Sequence, residues 1–434
     1  MKFQFCLIAI TAVILQTACT AQQKNQSGAD AVFNIKEVER IEKTLAADDM
    51  MGRKTFTPGI EKAAAFIAAE FKAAGLETMP GAPGFRQDFA IIRPKLVSAT
   101  VTVDGATIDA KQFLVVTTQP SLKISEKSGY KKAFIKAGAN LQTEARAYAR
   151  GKENMLVLVD PSFANSFGNL SRLRSTVFNT PVSVVFVMTA TDPSTYSVEA
   201  VHDVSRQELA NVVAMIPGKS RKDEYVIFSG HYDHIGTGKP VDGDSIYNGA
   251  NDDAAGITGV IMLAKYFRQL GNNERTLVFA AFTAEEIGGY GSQYFSGQLD
   301  PGKVVAMFNL EMIGTQSKWG KNSAYITGFE KTDMGVILQK NLEGTNFTFH
   351  PDPYPAQQLF YRSDNATMAR LGVPAHTIST SKMDTEPNYH KVTDHVETLD
   401  LENMTNIIRA IALSSKGIIS GKDTPTRVNT GELR

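Results

Sequence analysis

Residues 225–234 read YVIFSGHYDH. The run 225–229 is mostly apolar and rich in residues that favour strands. Directly after it come His231, Asp233 and His234, side chains that bind metal ions or carry protons. Open α/β sheets place their functional sites at the carboxyl ends of their strands. The stretch therefore predicts a buried strand that ends at a functional site.

The residues around this stretch predict alternating strands and helices. Apolar runs predict strands at 277–282 and 304–310, and apolar residues at helical spacing predict helices near 257–267 and 401–413. Alternation of this kind indicates a parallel sheet packed between helices. We therefore predict an α/β fold for the domain at 211–420, with a mostly parallel central sheet covered by helices on both faces.

The remaining chain predicts an N-terminal helical part and an insertion. Helical spacing and an Ala-rich run predict an N-terminal helical part at 34–94. Short β-rich runs separated by Gly, Pro, Asp and Ser predict a smaller β-rich domain inserted at 95–210. Residues 421–434 are interpreted as a polar tail. The chemistry is therefore expected in 211–420.

The composition excludes several classes of protein and site. The chain of 434 residues has 45 basic and 45 acidic side chains, and nucleic-acid-binding proteins usually carry a basic excess. We therefore expect no nucleic-acid partner. The two cysteines are Cys6 and Cys19, so the rest of the chain has neither a disulfide framework nor a thiolate metal site.

The N-terminus predicts export. A lysine precedes an apolar run at 7–15 that is too short to span a bilayer, which indicates a signal peptide at 1–18. The sequence LQTAC at 15–19 resembles a bacterial lipoprotein cleavage site, with Cys19 as the lipidated residue. Polar residues at 19–33 predict a flexible tether. We expect a protein of the cell envelope, lipid-anchored or periplasmic or secreted, that contacts the membrane only through Cys19.

Carboxylates and imidazoles recur where the predicted elements end. Besides 225–234, they occur in Asn251-Asp252-Asp253, Glu285-Glu286, Glu311 and Tyr389-His390. Nitrogen and carboxylate ligands without thiolate favour a catalytic zinc site over a structural one. The set exceeds the needs of one tetrahedral ion and fits two ions that share a bridging carboxylate. One carboxylate should stay free as a general base.

Together these motifs resemble the M28-type zinc aminopeptidases. The matching pieces, in the family order, are His231-x-Asp233, 251–256 (NDDAAG), Ala284-Glu285-Glu286, 309–314 (NLEMIG) and Tyr389-His390. The resemblance covers about 45–90 and 211–420, which implies that the helical part at 34–94 belongs to the same domain as 211–420. By its placement and β-rich character, the insertion resembles a divergent protease-associated domain.

The resemblance implies a metallopeptidase that removes N-terminal residues from peptides. It implies two Zn²⁺ per chain, replaceable by other divalent ions, with Asp252 as the bridge. Glu285 would take a proton from the attacking water and pass it to the leaving amine, and Asp233 would support His231. The implied metal ligands are His231, Asp252, Glu286, Glu311 and His390.

Two positions depart from the family pattern. Glu311 stands where aspartate is commoner, which can alter ligand spacing or affinity, and Asn365 replaces a histidine. Nearby, Tyr361 either donates to the tetrahedral oxyanion, as a tyrosine does in some relatives, or only packs. His234 and Asp394 are interpreted as supporting residues rather than ligands.

Other functions stay open on the same fold. A glutaminyl cyclase-like enzyme would use a single zinc ion, and a metal-free binding module would have lost ligands. Carboxypeptidase action is a further alternative. The complete ligand set and the presence of Glu285 favour the aminopeptidase.

Overall fold

The structure, a computed structural model, describes residues 30–174 and 177–433. The predicted signal peptide, Cys19 and most of the predicted tether lie outside these residues. The described residues form two compact units, one within 89–208 and the other made of 30–88 and 209–433. The sequence predicts these boundaries at 94/95 and 210/211. None of the described helices is long and apolar enough to cross a membrane.

The helices and strands are numbered in chain order. The helices are α1 (Ile35–Leu45), α2 (Pro58–Ala73), α3 (Leu141–Ala149), α4 (Ala255–Leu270), α5 (Tyr290–Ser296), α6 (Met334–Asn341), α7 (Asn365–Ala369), α8 (Leu401–Ser414) and α9 (Lys416–Ile419). The strands are β1 (Arg86–Val103), β2 (Ala106–Thr107), β3 (Phe113–Val116), β4 (Ser121–Ser125), β5 (Lys131–Ile135), β6 (Met155–Val159), β7 (Val177–Phe178), β8 (Val184–Met188), β9 (Tyr196–Ile216), β10 (Arg221–His231), β11 (Gly236–Val241), β12 (Asp244–Tyr247), β13 (Arg275–Phe282), β14 (Val304–Leu310), β15 (Ser323–Ile326), β16 (Thr348–Pro351) and β17 (Ala375–Ser379).

Local sequence explains where the main helices of the larger unit begin and end. Asn34 caps α1 by accepting a hydrogen bond from the Glu37 amide at 3.1 Å. Pro58 occupies the first turn of α2, where its missing N–H group costs nothing. Gly271 ends α4 in the left-handed conformation that glycine adopts without strain.

The sheet of the larger unit is mixed. Its strands lie in the order β16, β15, β17, β14, β10, β13 and β9. Strands β17, β14, β10 and β13 are parallel, whereas β15 is antiparallel to β17 and β9 is antiparallel to β13. The prediction of a mostly parallel sheet is therefore wrong, because antiparallel pairing flanks the parallel centre on both sides.

Short connections explain the antiparallel strands. Parallel neighbours need a crossover of a dozen or more residues, usually a helix. Residues 217–220 join β9 directly to β10, so these two strands run in opposite directions. Residues 311–322, all of them described, contain no helix, so β15 begins near the end of β14 and runs back.

Both faces of this sheet are buried. On β10, Val226 and Phe228 join a core with α1, α2, α4 and α8, while Ile227 joins a core on the other face with α5 and α7. Successive side chains of a strand point to opposite faces, so the continuous apolar run at 225–229 suits a doubly covered strand. The predicted α/β class, with helices on both faces, is confirmed.

The smaller unit has a sheet and cores of its own. Strands β3, β8, β6 and β5 lie in that order. Leu156 and Leu158 of β6 belong to one core, and Val157 and Val159 belong to the other. The β-rich character predicted for the insertion is present in these residues.

Candidate metal centre

The ends of three parallel strands bring the predicted site residues together. β10 ends at His231, which lies beside Phe282, the last residue of β13. Glu285 and Glu286 follow β13 closely, and Glu311 follows β14 directly. Because neighbouring parallel strands end on the same side of a sheet, these side chains converge.

The first group of candidate ligands is His231, Asp252 and Glu311. The Nε2 atom of His231 lies 3.2 Å from Oδ1 of Asp252 and 3.1 Å from Oε1 of Glu311. Ligand atoms about 2.0 Å from a tetrahedral zinc ion are roughly 3.3 Å apart. The separations in this group therefore fit ligands of one shared ion.

The contact of Nδ1 of His231 indicates which ring nitrogen carries the hydrogen and which has a lone pair for a metal ion. Nδ1 lies 3.0 Å from the main-chain oxygen of Asp233, and a carbonyl oxygen only accepts hydrogen bonds. Nδ1 therefore carries the hydrogen in the neutral ring, and the lone pair of Nε2 faces two carboxylates. A shared cation suits this arrangement of one lone pair and two carboxylates.

The second group combines Asp252 and Glu286 with two imidazoles. Nε2 of His390 lies 3.2 Å from Oδ2 of Asp252 and 3.3 Å from Oε2 of Glu286. Nδ1 of His234 lies 2.8 Å from Oε1 of Glu286 and 3.9 Å from Oδ2 of Asp252. The contact between His234 and Glu286 was not predicted, and its only indication in the sequence is the place of His234 in the strand-end segment.

Asp252 joins the two groups. Its Oδ1 atom faces His231, and its Oδ2 atom faces His390. Burial alone would raise the pKa of Asp252, but the imidazoles of His234, His231 and His390 hold this pKa well below its ordinary value. The donors are imidazole nitrogens and carboxylate oxygens, the set that suits zinc. These residues fit two ions that share one carboxylate.

Asp253 fixes the segment that carries Asp252. Its carboxylate accepts hydrogen bonds from the main-chain N–H groups of His231, Gly256 and Met312 at 3.2, 3.0 and 3.0 Å. A β-carbon on Gly256 would lie 2.4 Å or less from both oxygens of this carboxylate, so a larger residue would displace it. One carboxylate thus holds three segments of the site in register.

A buried arginine supports the same region. The guanidinium group of Arg53 donates hydrogen bonds to the main-chain oxygens of Tyr232, Asn248 and Gly249 at 2.9, 2.5 and 2.8 Å. These carbonyl groups belong to the segment after β10 and to the segment before Asp252. Arg53 therefore ties together the two segments that carry ligands of both groups.

Asp233 positions the paired glutamates through their backbone. Its carboxylate accepts hydrogen bonds from the N–H groups of Glu285 and Glu286 at 3.0 and 3.3 Å. The carboxylate of Glu285 itself accepts no hydrogen bond from any described residue. Burial raises the pKa of Glu285 well above its ordinary value, opposed by His231 and assisted by Glu311. Glu285 is thus the free carboxylate of the centre.

Ser363 holds the longer side chain of Glu311. The Ser363 hydroxyl donates to Oε2 of Glu311 at 2.5 Å and accepts from Nδ2 of Asn309 at 2.7 Å. Oδ1 of Asn309 accepts in turn from the Ser229 hydroxyl at 2.8 Å. This chain of hydrogen bonds fixes one oxygen of Glu311 and leaves the other facing His231.

The two tyrosines near the centre differ in position. Tyr389 lines the cavity next to Glu311, and its ring stacks on His390 with centroids 3.9 Å apart. Tyr361 instead packs against Phe360 with ring centroids 5.2 Å apart, and it is not among the described residues that line this cavity. Tyr389 was quoted in the sequence analysis only as part of a motif.

Asn365, at the position that departs from the family pattern, is fully buried. Its amide donates to the main-chain oxygens of Phe360 and Ala375 at 3.0 and 3.3 Å, and its Oδ1 atom accepts from the Thr377 hydroxyl at 2.9 Å. These bonds connect the start of α7 with β17. The asparagine is therefore satisfied by structural contacts.

Comparison with known sequences identifies relatives of this chain. Peptidase family M28 matches residues 211–414. A probable leucine aminopeptidase of Trichophyton verrucosum (strain HKI 0517) is 30% identical over 204 residues, covering 45% of this chain and 53% of that protein. A probable zinc metalloprotease of Pyrenophora teres f. teres (strain 0-1) is 35% identical over 108 residues, covering 24% of this chain and 23% of that protein. The chain thus spans about half the length, or less, of these curated relatives.

Solved structures share the fold. The aminopeptidase from Aneurinibacillus sp. strain AM-1 has a TM-score of 0.53 at 18% identity, over 93% of this chain and 98% of that chain. BSAP, a zinc aminopeptidase from Bacillus subtilis, has a TM-score of 0.53 at 17% identity, over 90% and 97%. At such identities the likeness concerns the fold alone. The match of peptidase family M28 to residues 211–414 confirms the resemblance drawn from the motifs of this region.

Proposed function

We propose that the chain is a dinuclear zinc aminopeptidase that hydrolyses the first peptide bond of substrates with a free N-terminus. The observation that carries this proposal is the position of Asp252, whose two oxygens each lie 3.2 Å from a different histidine. The names of the relatives, a probable leucine aminopeptidase and a probable zinc metalloprotease, support the activity and the metal.

The residues of the centre divide between two ions. Glu311 and His231 would hold the first ion, Glu286 and His390 would hold the second, and Asp252 would contribute one oxygen to each. When bound, such ions polarise the scissile carbonyl group and lower the pKa of water at the site. Cysteine is absent from the sequence after residue 19, so oxygen and nitrogen donors supply the whole ligand set.

Glu285 is the proton carrier of the reaction. Its carboxylate has no hydrogen-bond partner among the described residues, whereas that of Glu286 contacts two imidazoles. Glu285 takes a proton from the attacking water and delivers it to the leaving amine. Asp233 accepts a hydrogen bond from the main-chain N–H of Glu285 at 3.0 Å, which fixes the backbone from which this side chain extends.

Tyr389, which lines the cavity next to Glu311, would stabilise the carbonyl oxygen of the substrate. Burial raises the pKa of Tyr389 to about 12, so its phenol stays protonated at neutral pH and can donate. A donor aimed at an oxygen that gains negative charge stabilises the transition state more than the ground state. The same role for Tyr361 stays a prediction. The ring of Tyr361 packs against Phe360.

The test compares Glu285→Gln with a control variant, Glu343→Gln. Glu343 is exposed and lies outside the motifs. We expect the purified protein to hold about two divalent ions per chain and to cleave leucine p-nitroanilide but not its N-acetylated form. Glu285→Gln should keep both ions, measured by elemental analysis, and lose kcat by a factor on the order of 10²–10⁴. Glu343→Gln should keep both the ions and the rate.

Several results would contradict the proposal, and each identifies a different function. One ion per chain would favour a single-zinc cyclase. No ion, together with no chelator-sensitive activity, would favour a binding module. Cleavage of N-acetylated peptides from their C-terminus would favour a carboxypeptidase.

A further inference from the structure

An arginine without an acidic partner lines the cavity beside the metal centre. Glu311 and Arg362 both line this cavity. Arg362 is exposed, and its Nη1 atom donates to the side-chain oxygen of Gln357 at 3.1 Å. Among the described residues, no carboxylate lies within ion-pair distance of its guanidinium group. By contrast, the buried Arg275 is paired with Glu224 at 2.5 Å.

We propose that Arg362 binds a carboxylate group of the substrate, an inference that rests on the proposed peptidase function. The carboxylate has two sources: the side chain of an acidic N-terminal residue, or the C-terminus of a short peptide. Substrates that carry such a group would be bound more tightly than neutral substrates of the same shape.

The position of Arg362 supports this role. It precedes Ser363, whose hydroxyl contacts Glu311 at 2.5 Å, so the guanidinium group belongs to a segment anchored on the metal centre. Tyr389, stacked on His390, lines the same cavity as Arg362. A substrate held at the metal centre therefore lies within reach of Arg362.

The other residues that line the cavity explain why the guanidinium group of Arg362 would favour a substrate carboxylate over a neutral group. Tyr325, Leu359 and Met383 supply apolar surface, and Thr327 and Ser379 supply hydroxyl groups. Apolar and hydroxyl-bearing walls accept many neutral side chains, whereas the planar fork of an arginine matches the two oxygens of a carboxylate. In this cavity Arg362 is the positive group that distinguishes a carboxylate from its amide.

Binding measurements in the Glu285→Gln protein test the proposal without depending on turnover. Calorimetry compares two matched pairs: glutamate α-amide with glutamine α-amide, and Leu-Gly with Leu-Gly amide. Hydrogen bonds to charged groups give an expected preference of about tenfold for the charged member of at least one pair. A preference in the first pair identifies the side chain as the source of the carboxylate, and one in the second pair identifies the C-terminus.

Variants of two exposed arginines complete the test. Arg362→Gln should reduce the preference to about one, and Arg362→Lys should keep part of it because a point charge remains. Arg370→Gln, at another exposed arginine, should leave the preference unchanged. Equal binding within both pairs, no binding of either charged ligand, or an unchanged preference in Arg362→Gln would overturn the proposal. Absence of hydrolysis by the unsubstituted protein would instead refute the proposed function and leave these binding results intact.

Discussion

The two halves of the metal centre share Asp252 but are built from different kinds of structure. His231 and Glu311 come from the ends of neighbouring strands β10 and β14, and the side chain of His231 is only 1% exposed. His390 lies in a loop, and its side chain is 38% exposed. The first half is therefore fixed by the sheet, whereas the second half depends on loop conformation.

The halves also differ in how their glutamates are held. Oε2 of Glu311 accepts a hydrogen bond from the Ser363 hydroxyl at 2.5 Å. Glu286 meets an imidazole on each oxygen, with His234 on one and His390 on the other. The second half thus contains an additional nitrogen close to the ligand set. We infer that the half with His231 depends on each of its ligands, whereas in the half with His390 the imidazole of His234 can replace a lost ligand.

The largest expected effect compares the loss of one histidine from each half. His231→Ala should weaken the binding of one zinc ion by more than about 100-fold, since even outer-shell changes cost about 10–100-fold. His390→Ala should cost less, because Nδ1 of His234 lies 2.8 Å from Glu286 and can replace the lost nitrogen. Zinc titration against a chromophoric chelator measures both affinities.

The double variant sharpens this comparison. Adding His234→Ala to His390→Ala should remove the replacement ligand. The loss of zinc affinity should then be as large as in His231→Ala. If the single variants at His231 and His390 lose equal affinity, and the double variant loses no more, His234 has no such role. Circular dichroism of each metal-free variant checks that the fold is kept.

A smaller effect is expected from the hydroxyl group that holds Glu311. Ser363→Ala should lower the affinity for one zinc ion by about 10–100-fold and leave the affinity for the other unchanged, as expected for a residue that orients a ligand. Ser381→Ala is the matched control, because the buried Ser381 donates to Glu386 at 2.9 Å and contacts no candidate ligand. Equal weakening of both ions by Ser363→Ala, or a similar effect of Ser381→Ala, would show that Ser363 does not act through Glu311.

The sequence predicted the first half of the centre more completely than the second. The apolar run before His231 and the position of Glu311 after another run placed both residues at strand ends, and adjacent strand ends meet. His390 was chosen from a motif, not from a predicted element. The contact of His234 with Glu286 joins residues 52 positions apart, so it depends on side-chain packing that no periodicity records.

The direction of the outer strands could not be predicted for a similar reason. The sequence patterns predicted neither β9 nor β15, and the direction of a strand also depends on whether the preceding connection crosses the sheet. Residue spacing also does not distinguish Tyr361 from Tyr389, because it does not show which side chains line a cavity. Only the fold shows that Tyr389 lines the cavity and that Tyr361 packs against Phe360.

Anomalous diffraction at the zinc edge, from crystals of the zinc-loaded protein, tests the central claim of a shared two-ion centre most directly. We predict two peaks per chain about 3.5–4 Å apart, one on each side of the carboxylate of Asp252. Ser363 should contact Glu311, a ligand of one ion, and His234 should lie beside the other ion. A single peak, or two peaks that do not flank Asp252, would contradict the account.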